Sequence, residues 1–188
     1  MSLIAPVSDA TAPEASRATL QAVTQAWGFA PNLIRTFANS PAVLDGAWSL
    51  LGAFGKTRFS PAEQQLLSLA ISVENECSYC SAAHTLMGKG AGLSPTTLDA
   101  ARSGQPVPEP KLEALRRFAV AVVAHRGAVP QAELQAFLDA GYDHEAILEV
   151  ILGVATKTLM NYTDRLVHVP LDDAFKATAW QPSLKQAA

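Results

Sequence analysis

Two cysteines are all that the chain contains, and both lie in "ENECSYCSAAH", residues 74–84, with two residues between them. Glu74, Cys77, Cys80 and His84 follow one another at intervals of three, three and four positions. On a helix, residues three or four apart share a face. The spacing therefore predicts one stripe bearing a carboxylate, two thiols and an imidazole. Cα atoms three apart in a helix sit about 5–5.5 Å from each other, within the span a disulfide tolerates. A dithiol in this register can close and reopen without large backbone motion.

Three chemistries are open to such a set: a metal site, a structural staple and a reactive dithiol. An ordinary thiol, with a pKa of roughly 8.5, is mostly protonated at neutral pH, and a helix N-terminus or a nearby imidazolium lowers that to about 3.5–7.5. A new helix beginning near residues 75–77 would supply orphan N–H groups of that kind. His84, one turn beyond Cys80, is placed to take or return a proton, and a carboxylate beside it would fix its tautomer. The resulting thiolate would attack a peroxide oxygen, and its sulfenic acid would condense with the second thiol. Zinc commonly takes four ligands from paired clusters. Here a single CxxC stands alone, and His125, His144 and His168 are scattered along the chain. Zinc is disfavoured on this ground, and no cofactor is expected. Tyr79 would point off the cysteine stripe, to line a pocket or to pack.

The elements that must hold this set read as helical. No segment alternates cleanly between apolar and polar residues. Residues 13–28 run from Pro13 to a stop at Gly28, and 41–55 begin behind Ser40 as N-cap. Ser60 and Glu63 form a capping box at the head of 61–75. Its leucines and isoleucine wrap most of the helix, so it is expected to be central and buried. Ser94 and Asp143 cap further helices, the last being the longest, with Ile147, Leu148, Ile151, Leu152, Ala155 and Leu159 at helical spacing. The prediction is an all-α, single-domain bundle of seven to nine helices over 13–175. Irregular segments are expected at 1–12 and 176–188. The helices at 61–75 and 144–162 have the character of two equivalent centres of a duplicated unit.

Composition narrows the functional classes. At 188 residues the chain suits one domain. Charged residues make up 16%, against roughly 25% in typical globular proteins, so some surface is expected to be buried between subunits. The net charge is −3 and no basic stripe is present, which disfavours nucleic acid. No apolar run approaches the roughly 20 residues of a membrane span, and the first residues lack a secretory pattern. A cytoplasmic location is therefore expected, where paired cysteines serve catalysis or metal binding more often than stapling.

The residues also carry a family resemblance. "ENECSYCSAAH" resembles the Cys-x-x-Cys-x-x-x-His motif of the alkylhydroperoxidase D-like, peroxidase-related group of the carboxymuconolactone decarboxylase superfamily. "GFAPNLIRTFANSPAVL", "LEVILGVATKTLMNYTDRL" and "PLDDAF" are similar to further segments of that group, and the similarity spans about residues 25–175. The resemblance implies an all-α fold, assembly into homotrimers or homohexamers, and reduction of hydroperoxides with electrons returned by a dithiol reductant or redox protein. It implies that Cys80 forms the sulfenic acid, that Cys77 is its partner thiol and proton donor, and that His84 relays the proton. The decarboxylase branch generally lacks the cysteine pair, so Cys77 and Cys80 argue against muconolactone chemistry.

One position departs from the pattern. The family's glutamate, twelve residues before the first cysteine, is here Gln65, which cannot act as a carboxylate base. Glu74, on the cysteine stripe, is the expected substitute, with Glu63 second, although Glu63 is also accounted for by the capping box. Asn161 and Tyr162, polar residues near the end of an apolar helix, reach either the site or a subunit interface. The leading expectation is a thiol-dependent, antioxidant peroxidase with a His/Glu proton relay. The competing expectations are a thiol–disulfide oxidoreductase or redox sensor acting on a protein, and a non-catalytic binding module.

Overall fold

The computed structural model describes residues 2–182. Nine α-helices and one 3₁₀ helix form its described part, with no strand: α1 (Glu14–Trp27), α2 (Asn32–Phe37), α3 (Pro41–Phe54), α4 (Pro61–Glu74), α5 (Ser78–Gly90), α6 (Pro95–Arg102), α7 (Pro110–Ala124), α8 (Gln131–Asp139), α9 (His144–Val167) and a 3₁₀ turn at Asp173–Thr178. The all-α expectation holds. Local signals set most boundaries. The Ser60–Glu63 capping box is closed in both directions, and the side chains of Ser94 and Asp143 accept the N3 amides of α6 and α9. Gly28, at φ 81°, closes α1 in the left-handed conformation that costs glycine least. Ser40 stands at the N-cap of α3, but its side chain makes no capping bond.

α4 is the hub. It packs against α5, α6, α7 and α9, and Leu66, Leu67, Leu69 and Ile71 are fully buried. Each such side chain contributes about 1.5–3 kcal/mol over an exposed one. Leu67 and Ile71 join Phe118, Phe137, Tyr142 and Val150 in one apolar cluster; Leu66 and Leu69 join Leu98 and Val107 in another. A third cluster is built from α1, α2, α3, α5 and α9, and it encloses both cysteines. Among the described residues no helix is long and apolar enough to cross a membrane.

One short element was not anticipated, and two sequence expectations need correction. α2 has only six residues, too few to show a period, and its first amide is held from far along the chain, at 3.1 and 3.2 Å from the Asp172 carboxylate. The 3₁₀ helix runs on into the tail expected to be irregular from residue 176, because Phe175 is buried against Tyr79 and Phe29 at ring distances of 5.8 and 6.1 Å. Residues 183–188 of that tail lie outside the described residues. The apolar spacing of α9 does not mark a single core face. Leu148 is 67% exposed and Ile151 49%, because Ala146, Val150 and Gly153 face inward instead.

Gly153 is where α9 comes closest to the core. A Cβ built there would lie 2.8 Å from Leu67 and 3.0 Å from Phe54. Alanine gains up to about 1 kcal/mol in helix propensity, whereas overpacking costs about 1–3 kcal/mol. Both neighbours are buried and cannot swing away, so Gly153→Ala is expected to lower stability by about 1–2 kcal/mol. Chemical denaturation measures this, and a stabilised variant would show that α9 can shift outward freely.

Candidate active site

The two cysteines occupy a corner between two helices. α4 ends in a Schellman motif: Cys77 N–H donates to Ser72 O at 2.8 Å and Glu76 N–H to Val73 O at 3.0 Å. Glu76 takes the left-handed conformation at φ 53°, unusual for a residue with a side chain. Arg165 of α9 pins it, its Nη1 reaching Glu76 O at 3.1 Å, Glu76 Oε2 at 2.8 Å and Asn75 O at 3.3 Å. The residue that closes α4 also opens α5. Cys77 is the α5 N-cap, and its sulfur accepts the Cys80 N–H at 3.2 Å.

This geometry corrects the single stripe expected over 74–84. Glu74 is the last residue of α4, and the chain turns before Cys77, so Glu74 does not continue the face of Cys80 and His84. It borders an open surface cavity together with Asn75, Glu76, Tyr162, Arg165 and Leu166. Glu63 is also elsewhere, bonded to Ser60 and to the Tyr142 hydroxyl at 2.8 Å. Neither glutamate makes a hydrogen bond to His84 among the described residues. The His/Glu relay is therefore not formed as the sequence suggested.

Gln65 instead occupies that place. Its Oε1 lies 2.8 Å from His84 Nδ1, and Lys157 Nζ lies 2.6 Å from His84 Nε2. An ammonium can only donate, so Nε2 must accept, and Nδ1 carries the ring proton toward the amide oxygen. Loss of solvent and then the Lys157 charge hold His84 well below its ordinary pKa, so the ring stays neutral.

The two thiols face opposite environments. Cys77 is fully buried, and its S–H donates to Asp164 Oδ2 at 3.3 Å. Burial pushes its pKa up, and its contacts with Cys80 and the Asp164 charge push it further. Cys80 is 2% exposed. Burial pushes its pKa up as well, but the Cys77 hydrogen bond, the Lys157 charge and the Asn161 side chain outweigh that and Asp164, leaving it lowered to about 7. Asp164 also accepts from Tyr79 N at 3.3 Å and Val169 N at 3.2 Å, so the α5 N-terminus is tied to α9. Asn161 holds the corner on its other side, donating to Ser72 Oγ at 3.2 Å and accepting from Asn75 at 3.0 Å. A cavity of about 500 Å³, lined by Ser78, Tyr79, Asp164, His168, Leu171 and Trp180 among others, opens at the α5 N-terminus.

Of the residues expected at the site, Cys77, Cys80 and His84 come together, Asn161 joins them, and Tyr79 lines the cavity wall. Tyr162 is 59% exposed and points away. His125, His144 and His168 stay apart from the cysteines, His168 at the cavity rim. Lys157, Asp164 and Arg165 were missed. Lys157, Asn161 and Asp164 stand at i, i+4 and i+7, a buried polar stripe within an apolar helix, and that pattern was legible.

Comparison with known proteins fits this fold. Residues 41–107 match the model of the carboxymuconolactone decarboxylase family. An uncharacterised peroxidase-related protein of Ralstonia eutropha JMP134, described as an alkylhydroperoxidase AhpD core, superposes with a TM-score of 0.80 at 22% identity over 92% of this chain and 94% of that one. The debrominase Bmp8 gives 0.78 at 18% identity over 94% and 95%. A peroxidase-related protein of Silicibacter sp. TM1040 gives 0.74 at 14% identity over 87% of each chain. No curated protein matches. The resemblance read from the sequence therefore holds: residues 41–107 carry the pattern of the carboxymuconolactone decarboxylase family, on an all-helical fold shared nearly end to end with proteins named for peroxidase and debrominase activity.

Proposed function

We propose that this protein is a thiol-dependent peroxidase that reduces hydroperoxides through Cys80 and Cys77 and is recharged by a dithiol reductant or redox protein. The observation that carries the reading is the division of labour between the thiols. Cys80 is held toward thiolate near neutral pH, while Cys77 keeps its proton against a carboxylate. A low-pKa nucleophile beside a protonated partner is what two-step peroxide reduction needs.

In the first step the Cys80 thiolate attacks a peroxide oxygen. An S–O bond forms, the O–O bond breaks, and the departing oxygen takes a proton to leave as alcohol or water. Cys80 is then a sulfenic acid. In the second step Cys77 gives its proton to Asp164 and attacks the Cys80 sulfur. The S–S bond forms, the S–O bond breaks, and the leaving hydroxide takes the proton as water. Exchange with an external dithiol restores both thiols.

Burial favours this reading over one in which the dithiol serves a protein disulfide. With Cys77 fully buried and Cys80 2% exposed, small molecules, the peroxide and a small dithiol reductant alike, reach the sulfurs more readily than a folded partner does. Self-association, as trimer or hexamer, belongs to the same reading. It is supported by the outward row of Leu148, Ile151, Tyr162 and Leu166 on α9. A cytoplasmic site of action suits a dithiol that must be returned to the reduced state.

The test is consumption of hydrogen peroxide and of an alkyl hydroperoxide with dithiothreitol across pH. Thiolate is the reactive form, so the rate should rise with pH through about 7 and then level off. Consumption no faster than with dithiothreitol alone, at every pH, would exclude the reading.

A further inference from the structure

Lys157 is 3% exposed, near the middle of α9, and pairs with no carboxylate among the described residues. A buried ammonium without a counter-charge is costly unless something else compensates it. Its contacts are His84 Nε2 at 2.6 Å and Met160 Sδ at 3.7 Å, both acceptors without charge. These occupy two of its three N–H donors. Around this corner α9 brings Lys157, Asn161 and Asp164, α5 brings Cys77 and His84, and α4 brings the neutral Gln65 and Ser72; His84, which Lys157 contacts, stands one turn beyond Cys80 on α5. Asp164 is engaged with the Cys77 S–H and two backbone amides. A thiolate on Cys80 is the negative charge left to balance Lys157.

We propose that Lys157 takes the place of the missing carboxylate–histidine relay: its ammonium stabilises the Cys80 thiolate and donates the proton to the oxygen leaving the peroxide, while His84 holds that ammonium in position. The inference rests on the peroxidase reading and gives it a proton source. His84 cannot pass a proton from one ring nitrogen to the other here. Its Nδ1–H ends on an amide oxygen that does not ionise, and its Nε2 is already filled by Lys157. The protons balance. As the O–O bond breaks, the alkoxide or hydroxide takes one proton from Lys157, leaving a neutral amine. When the external dithiol later reduces the disulfide, the Cys80 thiol formed returns its proton to that amine, and the ion pair is restored. His84 is thus a positioning residue and Lys157 the catalytic acid. The site inverts the charge of the family pattern, with Gln65 in the glutamate's place and a cation arriving from α9.

Lys157→Met and Lys157→Arg separate the two roles. Arginine keeps the charge but does not give up a proton. Two readouts are needed: the pH profile of Cys80 alkylation by iodoacetamide, resolved by mass spectrometry, and single-turnover sulfenic acid formation with cumene hydroperoxide. With methionine, the alkylation midpoint should rise by about one pH unit or more, cutting the rate near neutrality about fivefold or more, and sulfenic acid formation should fall about 100-fold or more. With arginine, alkylation should stay within about threefold of wild type, while sulfenic acid formation still falls about tenfold or more. Lys157→Gln, also neutral, repeats the methionine arm should that variant not fold. An alkylation profile of the methionine or glutamine variant that overlays the wild type overturns the thiolate role. Wild-type sulfenic acid formation in the arginine variant overturns the acid role. A wild type whose Cys80 alkylates with a low midpoint, yet forms neither sulfenic acid nor the Cys77–Cys80 disulfide with cumene hydroperoxide, would instead sink the peroxidase reading.

Discussion

Cys80→Ser should lower peroxide consumption by at least about 10³-fold, equivalent to about 4 kcal/mol of transition-state stabilisation. Serine has no accessible anion at neutral pH, and neither the Cys77 hydrogen bond nor Lys157 can make one. The companion result is sharper. Cys77→Ser should still consume one peroxide per chain and stop there as a sulfenic acid that dimedone captures, because a serine hydroxyl cannot form the disulfide. Mass spectrometry of the trapped adduct decides the order of the two thiols. An adduct on Cys77 in the Cys80→Ser protein would reverse the assignment.

Asp164→Asn should separate the second step from the first. The carboxylate accepts the Cys77 S–H through Oδ2, together with Tyr79 N, and Val169 N through Oδ1. An amide keeps one acceptor oxygen and turns a donor on the other side. Cys77 then loses the group that takes its proton, and disulfide formation should slow about 10–100-fold, at the lower end of proton-transfer effects. Sulfenic acid formation should not slow, because the Asp164 charge works against the Cys80 thiolate. The expected signature in rapid-quench experiments is therefore an accumulating sulfenic acid. Stability should fall by about 1–3 kcal/mol as one buried donor loses its acceptor. Disulfide formation at the wild-type rate would remove Asp164 from the mechanism and leave it a structural tie.

The caps at Ser60, Ser94 and Asp143 and the glycine stop at Gly28 were readable because each is a bond between residues within four positions of one another. So was the closeness of Cys80 and His84, one turn apart on α5. The carboxylate was misread for a related reason. Glu74 has the correct spacing only if one helix runs through residues 74–84, and the left-handed Glu76 breaks that helix. Nothing in the local sequence announces the break, because Arg165, eighty-nine positions away, is what holds it. α2 and the 3₁₀ turn escaped similarly, being short elements secured from across the chain, α2 by Asp172 and the 3₁₀ turn by the packing of its Phe175 on Tyr79.

The sequence by itself determined the dithiol, its histidine, the helical class and most helix ends, since these depend on periodicity and on side chains reaching their own backbone. Tertiary structure alone decided which groups surround the sulfurs. Gln65 meets His84 across 19 positions, Lys157 meets it across 73, and Asp164 meets Cys77 across 87. Helical spacing states which residues share a face of α9; it does not state what that face is pressed against. That α9 lies over α4 and α5 with Lys157, Asn161 and Asp164 inward follows from burying Val150, Gly153 and Met160 in the same contact. The packing of those apolar residues brings a cation to Cys80 and a carboxylate to Cys77, and so sets the two thiols apart.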